Sequence, residues 1–310
     1  MKTLTCLLAL ATLTAAPVAA FAKIIRTVER TFAVQPGGSL IAVTEGGHIT
    51  IETADVPEVR VVAKQTVRAD SETEADKLLA DLTLRIEQQG NDVAVEAKFE
   101  KEARWRFSQP VSVDFTITVP RAYDVDLRTS GGNVLVASLK GRVKARTSGG
   151  DLKFDRIDGE LEGRTSGGDV FLREGTARAK LSTSGGDIVV ENALGPTEVA
   201  TSGGDVRIDS AAELISATTS GGTVRARLTG PLKHDTVLGT SGGNVIVQIT
   251  PDAAFHLDAR TSGGHVNASG ITIKITDGSI GKSRLRGDVN GGGPQLKLRS
   301  SGGNIRLETK

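Results

Sequence analysis

Cysteine is nearly absent. The 310-residue chain has one, Cys6, and it falls in an N-terminal stretch set apart from the rest. Disulfides therefore do not hold this fold together. Aromatics are almost as scarce, at 3% of residues, with one Trp and one Tyr. Clefts that grip sugars or peptides lean on exposed Trp and Tyr, so this scarcity counts against a sugar-processing enzyme. Charge of one sign is lacking too, with 38 Lys and Arg against 37 Asp and Glu. Such a balance gives no strong attraction to nucleic acid or to an anionic membrane. After residue 22, no stretch approaches the roughly 20 consecutive apolar residues that a membrane-spanning helix needs.

The first 22 residues carry Lys2, an apolar run from Leu4 to Leu13, and Ala20-Phe21-Ala22 before Lys23. A basic start, a short apolar run and a small-x-small end are the marks of a secretory signal peptide. Cys6 lies inside it and does not follow the cleavage site, which argues against a lipid anchor. Cleavage would also remove Lys2, leaving 37 cations against 37 carboxylates. The expected product is exported, to the periplasm, the cell surface or the medium, and has no transmembrane segment.

What the chain does have is a repeat. Thr129-Ser130-Gly131-Gly132 recurs from Thr147, Thr165, Thr183, Thr201, Thr219, Thr240 and Thr261, and again as Ser300-Ser301-Gly302-Gly303. The first five intervals are 18 residues, the next two 21, and the last 39. A fixed period of this size marks a stacked-repeat architecture. Apolar–variable–apolar triplets flank each tetrapeptide, as in Val143-Lys144-Ala145 and Val170-Phe171-Leu172. That is the period-two pattern of strands with one buried face. The spacing predicts an all-β chain: a parallel β-solenoid of 18–21-residue coils, each coil a strand, a Gly-Gly corner, a strand and a return turn. Val170, Leu172, Ile188, Val190, Val206 and Ile208 are expected inside, with Phe171 and Val189 outside. The predicted corner glycines are Gly131, Gly132, Gly149, Gly150, Gly167, Gly168, Gly185, Gly186, Gly203, Gly204, Gly221, Gly222, Gly242, Gly243, Gly263, Gly264, Gly302 and Gly303. Tight corners ask for positive φ, which glycine adopts without a Cβ penalty.

Three columns follow from that register. Asp126, Lys144, Glu162, Lys180 and Glu198 alternate in sign, as stacking of successive coils would favour. Asn133, Asp151, Asp169, Asp187 and Asp205 follow the Gly-Gly pairs. Gly-Gly and Asp turns bind calcium in nonapeptide β-rolls, but this chain has one such turn per 18 residues and departs from that unit. The expected role of the column is to accept hydrogen bonds from turn N–H groups. Arg128, Arg146 and Arg164 form the third column, and Arg260 and Arg299 recur at the same place later. They are expected to pair with nearby carboxylates on adjacent coils, with an anionic glycan or lipid headgroup as the competing partner. His48, His234, His256 and His265 show no metal spacing, and no cofactor is called for. The serines lie in turns with no nucleophile elbow and no base.

Residues 23–124 read as an N-terminal coil and cap, and 125–310 as the solenoid repeats. Ser71 and Glu74 form a capping box ahead of Ala75, Leu78, Leu79 and Leu82, which predicts one amphipathic helix over 71–82. Leu84–Glu87 and Val93–Phe99 predict a hairpin. The 39-residue interval equals 18 plus 21, which predicts a coil with a modified turn before the coil that ends the stack. Arg104-Trp105-Arg106 joins an aromatic to cations and is the candidate binding patch, since both are favoured at binding hot spots.

The export signal, Pro36-Gly37-Gly38 leading into a strand, the 71–82 helix and the Thr-Ser-Gly-Gly-Asp coils together resemble a bacterial β-strand-repeat family of unknown function. The family is labelled with candidate adhesins. Asn290-Gly291-Gly292-Gly293-Pro294 before Ser301-Gly302-Gly303-Asn304-Ile305 is similar to its closing segment. The resemblance covers nearly all of the chain after residue 22. It implies a parallel β-solenoid outside the cytoplasm and carries over no catalytic residues. Two functions compete: a non-catalytic structural or interaction protein of the envelope, meeting a glycan or protein, and a carbohydrate-active lyase or hydrolase on a solenoid scaffold. Fold alone does not separate them.

Overall fold

The computed structural model describes residues 23–99, 110–275 and 281–310; the predicted signal segment and Arg104-Trp105-Arg106 lie outside the described residues. Among the described residues the chain forms two 14-stranded sheets and one helix. Each regular coil contributes one strand to each sheet. Ile188–Ala193 lies in the first sheet, parallel to Val170–Gly175 and Val206–Ala211. Ala179–Ser182 lies in the second, parallel to Leu161–Arg164 and Thr197–Ala200. The predicted β-solenoid is thus observed, with residue-on-residue stacking broken by register shifts after Thr197 and Ile208: Val170, Ile188 and Val206 align, as do Leu172, Val190 and Ile208.

The core is the narrow space between the sheets. The six predicted inward side chains are no more than 1% exposed, whereas Phe171 and Val189 are partly exposed on the outer face. Aliphatic side chains stacked coil on coil bury apolar area continuously, so no large aromatic cluster is required. Where the core admits Phe154, the facing coil carries Gly163. A Cβ there would stand 3.0 Å from the Phe154 ring and 2.9 Å from Leu181.

The N-terminal end departs from simple stacking. Ser39–Thr44 and Ile49–Ala54 form a coil with its own Glu45-Gly46-Gly47 corner, stacked on Asp124–Thr129 and Val134–Val136. Its other side is covered by Asp92–Phe99 and Val111–Pro120, parallel to it in the two sheets. Beyond them lie antiparallel strands: Glu58–Arg68 and then Lys23–Ala33 in the first sheet, Leu82–Gln89 in the second. The helix Glu72–Ala80 connects the outer strands of the two sheets over a small cluster of Val67, Ala69, Ala75 and Val111. The Ser71 hydroxyl accepts from the Glu74 N–H at 3.2 Å, while the Glu74 carboxylate accepts from the Asp70 N–H at 3.0 Å. Leu82, expected on the helix, begins the next strand instead.

The C-terminal end overturns two expectations. Among the described residues, the 39-residue interval holds no modified coil. Arg284–Val289 runs antiparallel to Phe255–Thr261, with Ile273–Lys274 antiparallel outside it, so these strands cover the end of the second sheet. The C-terminal coil does not end the stack either. Gln295–Ser300 lies between Thr236–Thr240 and Phe255–Thr261. Ile305–Thr309 lies between Val245–Ile249 and Val266–Ser269. The last coil in sequence is inserted one place before the last coil in space.

Candidate functional site: the corner ladder and the outer faces

The repeated polar residues meet at the Gly-Gly corners. Thr147 is buried, and its Oγ1 does two things at once. It accepts from the Gly150 N–H at 3.2 Å and donates to the Gly132 carbonyl of the preceding coil at 2.9 Å. The same double contact recurs at Thr165, Thr183, Thr219 and Thr240. Ser300 and Thr261 continue it in the spatial order of the coils, on the Gly243 and Gly303 carbonyls. A hydroxyl suits this place because it supplies a donor and an acceptor in one buried atom.

Positive φ is not the reason for the corner glycines, contrary to expectation. It occurs at Gly37, Gly90, Gly141, Gly270 and Gly291 to Gly293, and at no Gly-Gly corner. Close approach is the reason. A Cβ on Gly150 would lie 2.0 Å from the Gly132 carbonyl oxygen, and on Gly186 2.2 Å from that of Gly168. The second glycine of each pair therefore has a neighbouring backbone where a side chain would be. The first is freer: a Cβ on Gly149 meets nothing nearer than 3.6 Å.

The residue after each pair completes the ladder. Asn133 accepts from the Asp151 N–H at 2.9 Å, Asp151 from Asp169, Asp169 from Asp187, and Asp187 from Asp205. The column accepts turn N–H groups, and each carboxylate is shared with the next coil. His48 joins it through Nδ1, accepting from the Asn133 N–H, and the His265 N–H donates to Asn304. His234 bonds Glu213 and His256 bonds Asp288, so the four histidines are spread over the surface. Among the described residues, no group of three or more His, Cys, Asp or Glu is arranged to hold a metal ion.

With these groups committed to the ladder, the outward columns differ from coil to coil. On the second sheet, a groove of about 560 Å³ crosses Val143–Arg146, Leu161–Arg164 and Ala179–Ser182. Its lining includes Arg142, Lys144, Arg164, Arg178, Lys180, Glu160 and Glu162. Lys144, Glu162, Lys180 and Glu198 stack in register, as expected from their alternating signs. The ion pairs run diagonally as well as vertically. Glu162 takes Arg146 at 2.8 Å and Lys144 at 3.8 Å, Arg142 takes Asp124 at 3.0 Å, and Arg178 takes Glu198. The Arg146 hydrogen bond holds the Glu162 carboxyl below its usual range, outweighing its desolvation. Arg128 pairs with Asp126 on its own strand. Arg164 and Lys180 make no ion pair within 4 Å among the described residues.

A second, mostly apolar groove of about 490 Å³ lies on the outer face of the first sheet. Leu135 and Phe171 line it, and the Lys153 ammonium sits 5.8 Å from the Phe171 ring centre. The column pattern was readable for Phe171, but not that Leu135, Lys153 and Phe171 form one surface.

Sequence reasoning expected carboxylate partners for Arg260 and Arg299, but not the cluster that the two form with Arg286 on one aspartate. Asp258, with its side chain 10% exposed, accepts from Arg299 at 2.6 Å and from Arg286 at 3.1 Å, and pairs with Arg260 at 3.2 Å. Burial opposes its ionisation, yet the Arg299 and Arg286 hydrogen bonds prevail and hold its carboxyl below the ordinary value. Arg299 and Asp258 are neighbours only because the last coil is inserted out of order.

Several solved structures resemble this one. A candidate adhesin from Bacteroides fragilis is 12% identical and covers 92% of this chain and 97% of its own, with a TM-score of 0.39. A candidate adhesin from Parabacteroides merdae is 13% identical, covering 92% and 96%, with a TM-score of 0.46. A candidate lipid-binding protein from Parabacteroides distasonis is 14% identical, covering 92% and 96%, with a TM-score of 0.44. No curated protein matches the chain. Residues 47–308 match the family described as Toastrack DUF4097, and the chain belongs to that family.

Proposed function

We propose that this chain is an exported, non-catalytic, adhesin-like interaction protein of the bacterial envelope, and that the outer face of its second sheet is the binding surface. One observation carries the proposal: five cations, Arg142, Lys144, Arg164, Arg178 and Lys180, line a groove with two carboxylates, Glu160 and Glu162, and neither Arg164 nor Lys180 makes an ion pair within 4 Å among the described residues. An excess of cations in a groove crossing stacked strands favours a partner with anionic groups spaced along the stack, either an envelope glycan or a protein. The fold suits such a role, since its repeated polar residues are consumed by the corner ladder and its outward columns vary.

A glycosidase-type site in the same groove is disfavoured. It would need a carboxylic acid with a raised pKa facing a second carboxylate, and aromatic platforms for the sugar. Glu162 is instead held ionised by Arg146, and the groove is lined by charged, aliphatic and small side chains.

Pull-down from envelope extracts tests the proposal. The wild-type chain is expected to retain a partner that the Arg164→Gln/Lys180→Gln variant loses, with little change in melting behaviour. Undiminished capture by the variant would reject this surface. Trp105→Ala in the same assay tests the Arg104-Trp105-Arg106 patch, which belongs by connectivity to the segment joining Asp92–Phe99 to Val111–Pro120. Fractionation tests export, with a chain starting at Lys23 expected outside the cytoplasm.

A further inference from the structure

Charges on the outer face of the second sheet alternate along Lys144, Glu162, Lys180 and Glu198, each beside an opposite one. Toward the C-terminal end of the same sheet the alternation stops. Arg284–Val289, Phe255–Thr261 and Gln295–Ser300 are neighbouring strands, and Arg284, Arg260 and Arg299 stand side by side on them in register. Like charges directly opposite one another are destabilising. Two residues along, on the same face, Asp258 lies in register between Arg286 and Lys297. It is the one carboxylate among these six residues.

Asp258 does not neutralise them all. Its Oδ1 accepts from Arg260 Nε at 3.2 Å and Arg286 Nε at 3.1 Å. Its Oδ2 accepts from Arg299 Nη2 at 2.6 Å and Arg286 Nη2 at 3.3 Å. Two carboxylate oxygens offer about four lone-pair sites, so Asp258 is saturated. Arg299 turns its Nη1 to the Asp258 and Leu298 carbonyls, at 2.7 and 2.9 Å. Among the described residues, Arg260 engages only its Nε. The side chains of Arg284 and Lys297 make no hydrogen bond or ion pair there, although both residues are half-buried. Leaving Arg286 aside, the three guanidiniums of one row face one carboxylate, an excess of two positive charges (3 − 1 = 2). A half-buried guanidinium loses hydration, and beside a second one it also meets repulsion. An anion from outside the chain would relieve both.

We propose that Arg284 and Arg260, backed by Arg299 and Lys297, form a binding site for a phosphate monoester group. Guanidinium forks match phosphate oxygens two at a time. Forks on adjacent strands, about 4.8 Å apart, can share one tetrahedral group. A phosphate monoester carries about −1.5 to −2 at pH 7, which matches the excess of charge better than a single carboxylate does. The site is five strands along the sheet from Ala179–Ser182, roughly 24 Å at about 4.8 Å per strand, and stands apart from the groove there. Soluble phosphate esters and lipid headgroups both carry this group, and the test separates them.

Inorganic phosphate, titrated into the purified chain at neutral pH, is expected to shift the amide resonances of Arg260, Arg284 and Arg299 saturably. Glycerol 1-phosphate should do the same, and acetate at equal ionic strength should not. Arg284→Gln is expected to weaken phosphate binding about tenfold or more. A purely structural arginine would fail a second readout. Without phosphate, Arg284→Gln should melt at or above the wild-type temperature, since it removes a repelling charge. Phosphate should then raise the melting temperature of the wild type more than that of the variant. Flotation with phosphatidylcholine vesicles, with and without phosphatidic acid, identifies the source. Flotation only with phosphatidic acid assigns the group to a lipid, and phosphate binding without flotation assigns it to a soluble ester. Shifts confined to residues 142–182 would favour the groove and reject this site. No saturable shift, undiminished binding by Arg284→Gln, or a lowered melting temperature of that variant without phosphate would each overturn the proposal.

Discussion

At a Gly-Gly corner, two chemically identical residues have different reasons to be there. The second glycine faces a carbonyl oxygen of the preceding coil, and a Cβ at Gly150 would lie 2.0 Å from it. Backbone in the middle of a stack has nowhere to move, so Gly150→Ala is expected to cost about 1–3 kcal/mol or more. At the corner of Gly149 the first glycine has room and no left-handed φ, though at Gly221 a Cβ would lie 2.8 Å from the Gly203 carbonyl oxygen. Gly149→Ala is expected to be neutral, or to gain up to about 1 kcal/mol by restricting the unfolded chain. Urea melts of the two variants check this pair, and equal losses would refute it. The Thr-Ser-Gly-Gly motif was legible as a corner, but its mechanism was not. A single chain shows that glycine is demanded without distinguishing backbone conformation from an approach made by another coil.

Among the elements, the clearest energetic commitment is the junction of Phe255–Thr261, Arg284–Val289 and Gln295–Ser300 around Asp258. The folded state holds this carboxyl below its ordinary value. Its contribution to stability is therefore complete above the unfolded value and lost as pH falls through the folded one. The wild-type melting temperature is expected to fall as pH drops through the ordinary aspartate range, about 4, and below it. Asp258→Asn should begin lower at neutral pH and fall less steeply over that range. Parallel curves for the two proteins would remove Asp258 from the account. Arg260 and Arg299 were expected to find carboxylates, but the junction itself was not legible, because the spacings of Asp258 from Arg286 and Arg299, 28 and 41 residues, follow no coil period.

For the molecule as a whole, stacking makes stability a sum over neighbouring coils, and a coil's cost of disruption depends on how many neighbours it has. A C-terminal coil is expected to have one. This one has two, and a Cβ at Gly303 would lie 2.1 Å from the Gly243 carbonyl, much as Gly186 stands to Gly168. Gly303→Val and Gly186→Val are therefore expected to lower the melting temperature by comparable amounts. Amides of Gln295–Ser300 should also exchange with solvent as slowly as those of Ala179–Ser182. Near-wild-type melting of Gly303→Val, with rapid exchange over 295–300, would mean the coil is terminal after all.

The sequence by itself determined the repeat, its strands, their inward and outward faces and the capping helix. Each depends on interactions within one coil or between coils of the same spacing, and periodicity records those directly. Val170, Leu172, Ile188 and Val190 could be placed in the core from their alternation alone. Tertiary structure decided the order of the coils at both ends, where Val111–Pro120 and Gln295–Ser300 enter the stack out of turn. Every coil presents nearly the same glycine, hydroxyl and amide surface to its neighbours, so local pattern cannot say which coil sits beside which. Connection lengths and single contacts such as Arg299 on Asp258 make that choice.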